Sequence, residues 1–209
     1  MKRFFTSNLK HILLMLAVAA TAIFFHLDQT GWADVIQCPE TTVVCNGTPG
    51  DDKILGPYTV EGLIHGLAGN DYIIGFGSSI SGNYIFGDNG SDILIGGSGN
   101  DGLYGGRGND MYDGNSGHDT IIDDFYMEGP LVKNDDIISG EEGNDYIQSG
   151  EGVDKIHGGP GNDLIFADGA HRDFSSDNVN CGSHSDSIYF NSGDDVIASN
   201  CEDVYDYDR

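Results

Sequence analysis

The sequence predicts an all-β solenoid, and three observations predict it. A nine-residue period runs unbroken through Gly87–Ile95 (GDNGSDILI), Gly96–Tyr104 (GGSGNDGLY), Gly105–Asp113 (GGRGNDMYD) and Gly114–Ile122 (GNSGHDTII). Each unit carries one large residue, aliphatic in all but one case, at position 8, two places after an acidic or amide residue at position 6. Two or three glycines per unit disfavour helix, since each costs about 1 kcal/mol against alanine. A strict short period means one structural unit stacked on copies of itself.

The unit itself divides in two. Its first six residues are turn chemistry: glycine permits positive φ, and Asn and Asp tolerate it while bonding back to nearby backbone. Its last three form a short strand with the central side chain on one face. Position 8 is Ile54, Ile73, Ile85, Leu94, Leu103, Tyr112, Ile121, Ile138, Ile147, Ile156, Ile165, Ile188 and Ile197. One such strand cannot bury its isoleucine, but strands stacked at about 4.8 Å place position 8 in a continuous interior. Two units make one coil, with turn, strand, turn and strand. Equivalent acidic residues therefore recur every eighteen residues, with Asn83, Asp101 and Asp119 on one side and Asp92 and Asp110 on the other.

Carboxylates one strand spacing apart repel strongly in a dry gap, and a cation between them reverses the sign. The available donors are carboxylate oxygens and the carbonyls of glycine-rich turns. An all-oxygen, flexible cage suits Ca²⁺; Mg²⁺ wants tighter octahedral geometry and Zn²⁺ prefers His and Cys, which are sparse at the repeated positions. Solvated solenoid turns are the alternative reading. They require neither Asp at one fixed position nor so large a charge excess.

These units resemble the RTX, or haemolysin-type, calcium-binding repeat proteins. The likeness is carried by the four units above, by GLAGNDYII at Gly66–Ile74, GEEGNDYIQ at Gly140–Gln148 and GGPGNDLIF at Gly158–Phe166. The resemblance implies a parallel β-roll in which position-6 carboxylates and turn carbonyls of successive coils share several Ca²⁺ ions. Carried onto matching positions, it implies Asp71, Asp92, Asp101, Asp110, Asp119, Asp145, Asp154 and Asp163 as ligands, with Asp136 and Asp195 completing the set. There are departures from the pattern. The double glycine occurs only at 96–97, 105–106 and 158–159, Asn83 replaces an Asp, and Leu131–Ser139 (LVKNDDIIS) lacks its glycines. His184 stands where position 4 calls for glycine, which is expected to weaken the site near Asp186.

The formal net charge is −25, and residues 1–33 carry Lys2, Arg3 and Lys10 against Asp28, so the remainder stands at −27. So acidic a chain repels itself and is a poor ligand for nucleic acid or anionic membrane. Without counter-cations it is expected to be loose. Residues 1–33 read as a secretory signal. A basic start precedes the apolar stretch Ile12–Phe25, and Gly31 and Ala33 are small residues before a cut at Asp34. An uncleaved anchor is the alternative, but the stretch is short for a span of about 20 residues. RTX proteins usually carry a C-terminal export signal, so an N-terminal one departs from the resemblance. Cys38, Cys45, Cys181 and Cys201 flank the main repeats. In an exported chain the pairs Cys38–Cys45 and Cys181–Cys201 would close the ends, although three connectivities are open.

The expected organisation is a signal at 1–33, an N-terminal cap at 34–46, repeats at 47–198 and a C-terminal cap at 199–209. Two breaks interrupt the period, with smaller slips near Pro57 and Ser78. The breaks predict surface loops at 123–130, with Phe125, Tyr126 and Met127 exposed, and at 167–180, with His171, Arg172 and Phe174. No GxSxG elbow or HExxH helix occurs. Gly97–Gly102 (GSGNDG) fits GxGxxG only as a by-product of the repeat. Glu61, Asp123, Asp124 and Glu128 are the loose carboxylates for any polysaccharide-active chemistry, and Glu141 and Glu142 read as solvated. The expected function is thus a secreted, monomeric, non-enzymatic calcium-binding module. An extracellular adhesin contacting a cell surface or polysaccharide through the loops is the alternative.

Overall fold

Strict alternation within the unit sends positions 6, 8 and 1 to one face and positions 7 and 9 to the other, and the fold follows from burying the first face. The computed structural model describes residues 34–41, 44–57, 61–77, 82–123, 134–167, 175–191 and 195–207. The first strands are β1 (Asp34–Gln37), β2 (Val44–Asn46), β3 (Asp52–Leu55), β4 (Leu63–Ala68), β5 (Tyr72–Gly77) and β6 (Tyr84–Asn89). The middle of the roll holds β7 (Ile93–Gly97), β8 (Gly102–Arg107), β9 (Met111–Asn115), β10 (Thr120–Ile122), β11 (Ile137–Ser139) and β12 (Tyr146–Gln148). Then come β13 (Lys155–Pro160), β14 (Leu164–Phe166), β15 (Asn178–Ser183), β16 (Ser187–Phe190), β17 (Val196–Ile197) and β18 (Asp203–Asp206). Odd-numbered strands make one nine-stranded parallel sheet and even-numbered strands the other. The protein is a parallel β-roll. No described helix is long and apolar enough to cross a membrane.

Register places position 8 over position 8 throughout. Ile54, Ile73, Leu94, Tyr112, Ile138, Ile156 and Val179 stack through one sheet. Ile64, Ile85, Leu103, Ile121, Ile147, Ile165 and Ile188 stack through the other, and the two columns form the core. Ile85→Ala is expected to cost about 2–5 kcal/mol. Tyr84→Ala, one residue away but 46% exposed on the outer face, should cost under about 1 kcal/mol. Paired urea midpoints check the difference. Rings on the outer face of the even sheet also stack at the strand spacing: His65 on Phe86 and Phe86 on Tyr104, each at 4.7 Å.

The roll extends through both segments expected as caps. Ile36 pairs with Ile54, Cys45 with Ile64 and Ile188 with Val204. Disulfides Cys38–Cys45 and Cys181–Cys201 close the two ends, as expected. The stretch 167–180 is not wholly a loop, because residues from 175 onward rejoin the roll and β15 pairs with β13. Asp177 and Val179 hold positions 6 and 8, nine residues before Asp186 and Ile188, in a unit without turn glycines. The proposed signal at 1–33, both slips' central residues (58–60 and 78–81), and Phe125, Tyr126, Met127, His171, Arg172 and Phe174 lie outside the described residues.

The turns explain why the double glycine can be dispensed with. In the central units position 2 takes left-handed backbone with glycine or without it: Gly106 has φ 99°, and Asp88, Asn115 and Glu141 have 73°, 67° and 66°. Asp and Asn tolerate that region best after glycine.

Candidate metal centre

Two ladders of carboxylates run inside the roll beside the apolar columns, because position 6 shares the inward face with position 8. In the first, the backbone N–H of each position-6 residue donates to Oδ1 of its counterpart one coil on. The links are Asp52 to Asp71 (2.8 Å), Asp71 to Asp92, Asp92 to Asp110 and Asp110 to Asp136 (each 2.7 Å). It continues from Asp136 to Asp154 and Asp154 to Asp177 (each 2.8 Å), and Asp177 to Asp195 (2.9 Å). The second runs from Asn83 to Asp101, and then from Asp101 to Asp119 and from Asp119 to Asp145, 2.8 Å in these last two. Asp145 to Asp163 and Asp163 to Asp186 follow (each 2.9 Å), and the ladder ends on Glu202.

A third set of bonds runs the opposite way through position 5. The N–H of Ser91 donates to Asn70 Oδ1, that of His118 to Asn100 Oδ1, and that of Asn162 to Asn144 Oδ1. Asn144 N–H donates to His118 Nδ1 at 2.7 Å, which fixes the proton of that imidazole on Nε2.

The position-6 carboxylates leave one oxygen over. Asp71, Asp92, Asp101, Asp119, Asp145, Asp163 and Asp186 are at most 3% exposed, and Oδ2 of each is buried without a hydrogen bond. Position-1 glycines make room for these oxygens. A Cβ on Gly140 would stand 2.5 Å from Asp145 Oδ2 and 2.6 Å from the Gly158 carbonyl oxygen, and one on Gly96 would stand 2.8 Å from both Asp101 Oδ2 and the Gly114 carbonyl. Each coil thus gathers a carboxylate oxygen and a carbonyl oxygen around space only glycine leaves. Acceptors converging with no donor among them ask for a cation, and an all-oxygen set fits a hard one such as Ca²⁺.

Electrostatics agree. Burial, opposed by the backbone hydrogen bond, pushes the carboxyls up from 3.8: Asp71, Asp101 and Asp145 to about 6, Asp92 and Asp163 to about 7, and Asp119 to about 8. Asp186 is raised for the same first reason. Asp136 is raised furthest, by burial and then by the charge of Asp123. Without a cation the charged form of each is disfavoured.

Of the predicted ligands, Asp71, Asp92, Asp110, Asp136, Asp154 and Asp195 fall in the first ladder and Asp101, Asp119, Asp145 and Asp163 in the second. The first also contains Asp52 and Asp177, which stand outside the predicted set. Asp52 and Asp177 were legible only from the residues two places on, Ile54 and Val179. Asp186 keeps the common geometry beside His184, whose own φ is 97°. Asn83 takes the position-6 place and accepts the Gly62 N–H at 3.2 Å. Among the loose carboxylates, Asp123 is buried in a hydrogen bond from Tyr112, Glu61 is exposed, and Asp124 and Glu128 lie outside the described residues.

A β-roll with internal, donor-poor carboxylate ladders is a repeat protein suited to holding cations between its coils. Comparison with protein families agrees: the model for the RTX calcium-binding nonapeptide repeat matches in four copies, over residues 63–79, 83–121 and 133–165. The chain carries RTX calcium-binding repeats. No curated protein matches it in a sequence comparison.

Proposed function

We propose that this is a secreted, non-enzymatic calcium-binding module that is loose in a calcium-poor cell interior and folds into its roll on meeting extracellular Ca²⁺. The observation that carries the reading is the row of buried Oδ2 atoms without donors. Asp71, Asp92, Asp101, Asp119, Asp145 and Asp163 would hold the ions with turn carbonyls, and the ions would supply charge neutralisation between coils. Preferential binding to the folded state then stabilises the roll. Two disulfides fit an oxidising compartment. Far-ultraviolet circular dichroism in chelator should show mostly coil, converting to β on adding millimolar Ca²⁺ and reverting with chelator. An unchanged spectrum would remove the idea.

One observation favours a second reading, in which the roll is an adhesive scaffold. The two larger insertions leave the roll after β10 and after β14, on the same edge and two coils apart. If that edge is the contact, deleting 124–133 and 168–174 should abolish retention on immobilised polysaccharide while sparing calcium-driven folding. Retention by the loopless roll would discard this reading.

A further inference from the structure

Three departures from the repeat meet at one place. Among the described residues, Tyr112 is the only aromatic with a fully buried side chain at position 8. Asp123 takes position 1, which Gly105, Gly114, Gly140 and Gly158 hold in nearby units, and is 1% exposed. Asn134 takes position 4, where Gly117 and Gly143 stand, and is 2% exposed. Tyr112 donates its hydroxyl to Asp123 Oδ1 at 2.6 Å. Asn134 Nδ2 donates to Asp123 Oδ2 at 2.8 Å and to Asp136 Oδ2 at 3.1 Å. One carboxylate oxygen each of Asp110, Asp123 and Asp136 lies within 4.8 Å of the others.

A second feature points to a ligand. Asn134 Oδ1 is buried with no hydrogen-bond partner, while the other end of the same amide touches two carboxylates. The two ends of an Asn amide are alike in shape and differ only in whether they donate or accept. A half-turn of the amide brings Oδ1 against Asp123 and Asp136, an arrangement that satisfies it if a cation lies between.

We propose that Asp110, Asp123, Asp136 and the Asn134 amide oxygen form a divalent-cation site held by side chains alone, tighter than the sites between ordinary coils and filled before them. The proposal rests on the calcium reading of the roll. Three converging carboxylates raise affinity over two, since ligand charge count and rigidity tune such sites over orders of magnitude. Tyr112 fixes Asp123 from the core side. Asp123 and Asn134 flank residues 124–133, so the same ion ties both ends of the insertion to the roll.

Calorimetric titration of the purified chain with Ca²⁺ tests it. Wild type should show a first phase of one ion per chain, roughly tenfold or more tighter than the remainder. Asp123→Gly restores the residue usual at position 1; it should lose that phase and keep the rest, while Tyr84→Ala, on the exposed outer face, keeps every ion. Asp123→Asn should behave as Asp123→Gly, and is read instead if circular dichroism in saturating Ca²⁺ shows the glycine variant unfolded. If a folded Asp123 variant retains the tight phase, or wild type shows no such phase among its ions, the special site is refuted and the calcium roll stands. If wild type binds no calcium at all, the calcium reading falls as well.

Discussion

In chelator, lowering the pH from about 8 to about 4.5 is expected to increase the order of the roll, the reverse of ordinary acid denaturation. The carboxyls of Asp71, Asp92, Asp101, Asp119, Asp145 and Asp163 stand at about 6 to 8 in the folded chain against 3.8 in model peptides. Between those values the folded state binds protons that the unfolded chain has released. Stability from this source is full below 3.8 and is lost as pH rises through the folded values, each tenfold gain in proton affinity on folding being worth about 1.4 kcal/mol. Acid also relieves the self-repulsion of a chain at −25. In saturating Ca²⁺ the trend inverts, because ion and proton compete for the same oxygens: affinity should fall as pH drops from about 8 towards 6. Circular dichroism and hydrodynamic radius across this range, with and without calcium, give both curves. A chelator curve in which order rises with pH would contradict the buried ladders. Asp119→Asn should remove the uppermost part of that transition.

Gly143→Ala is expected to cost about 3 kcal/mol or more and to push the calcium midpoint of folding up by more than tenfold. Gly143 has φ 151°, and a Cβ there would run into the carbonyl oxygen of Gly117, the position-4 residue of the preceding coil. Relief requires the coils to separate, which breaks the strand pairing between β10 and β12 and lengthens the Asp119–Asp145 bond. Glu142→Ala, next door and exposed, should shift the same midpoint by no more than about 0.5 kcal/mol. Equal midpoints for wild type and Gly143→Ala would show that coils do not pack this closely.

Periodicity made the roll legible, since a nine-residue repeat with one inward aliphatic residue admits little else. The strands centred on Ile36, Cys45, Ile64, Val179 and Val204 escaped it. Ile64 follows Gly62 in place of an acid, Val204 follows Glu202, and the unit of Val179 has no turn glycine, so their marks are worn although register with neighbouring coils still imposes the strand. Most ladder members were legible, Asp52 and Asp177 excepted, but their orientation was not. Spacing put Asp101 and Asp119 on one side of the coil, while their inward burial and the bond through Oδ1 depend on backbone packing between coils. The meeting of Tyr112, Asp123 and Asn134 was beyond sequence reading, for each is an exception to the repeat and only the fold brings exceptions together.

The opposed senses of the position-6 and position-5 bonds give the roll a head and a tail. Any coil added beyond the last one would have to offer carboxylates to waiting amides, as Glu202 does for Asp186. Any coil placed before the first would have to offer short side-chain acceptors, as Asp51 does for Asn70. Two copies meeting head to head would leave one set of demands unanswered, so lengthening by like units is possible in a single orientation only.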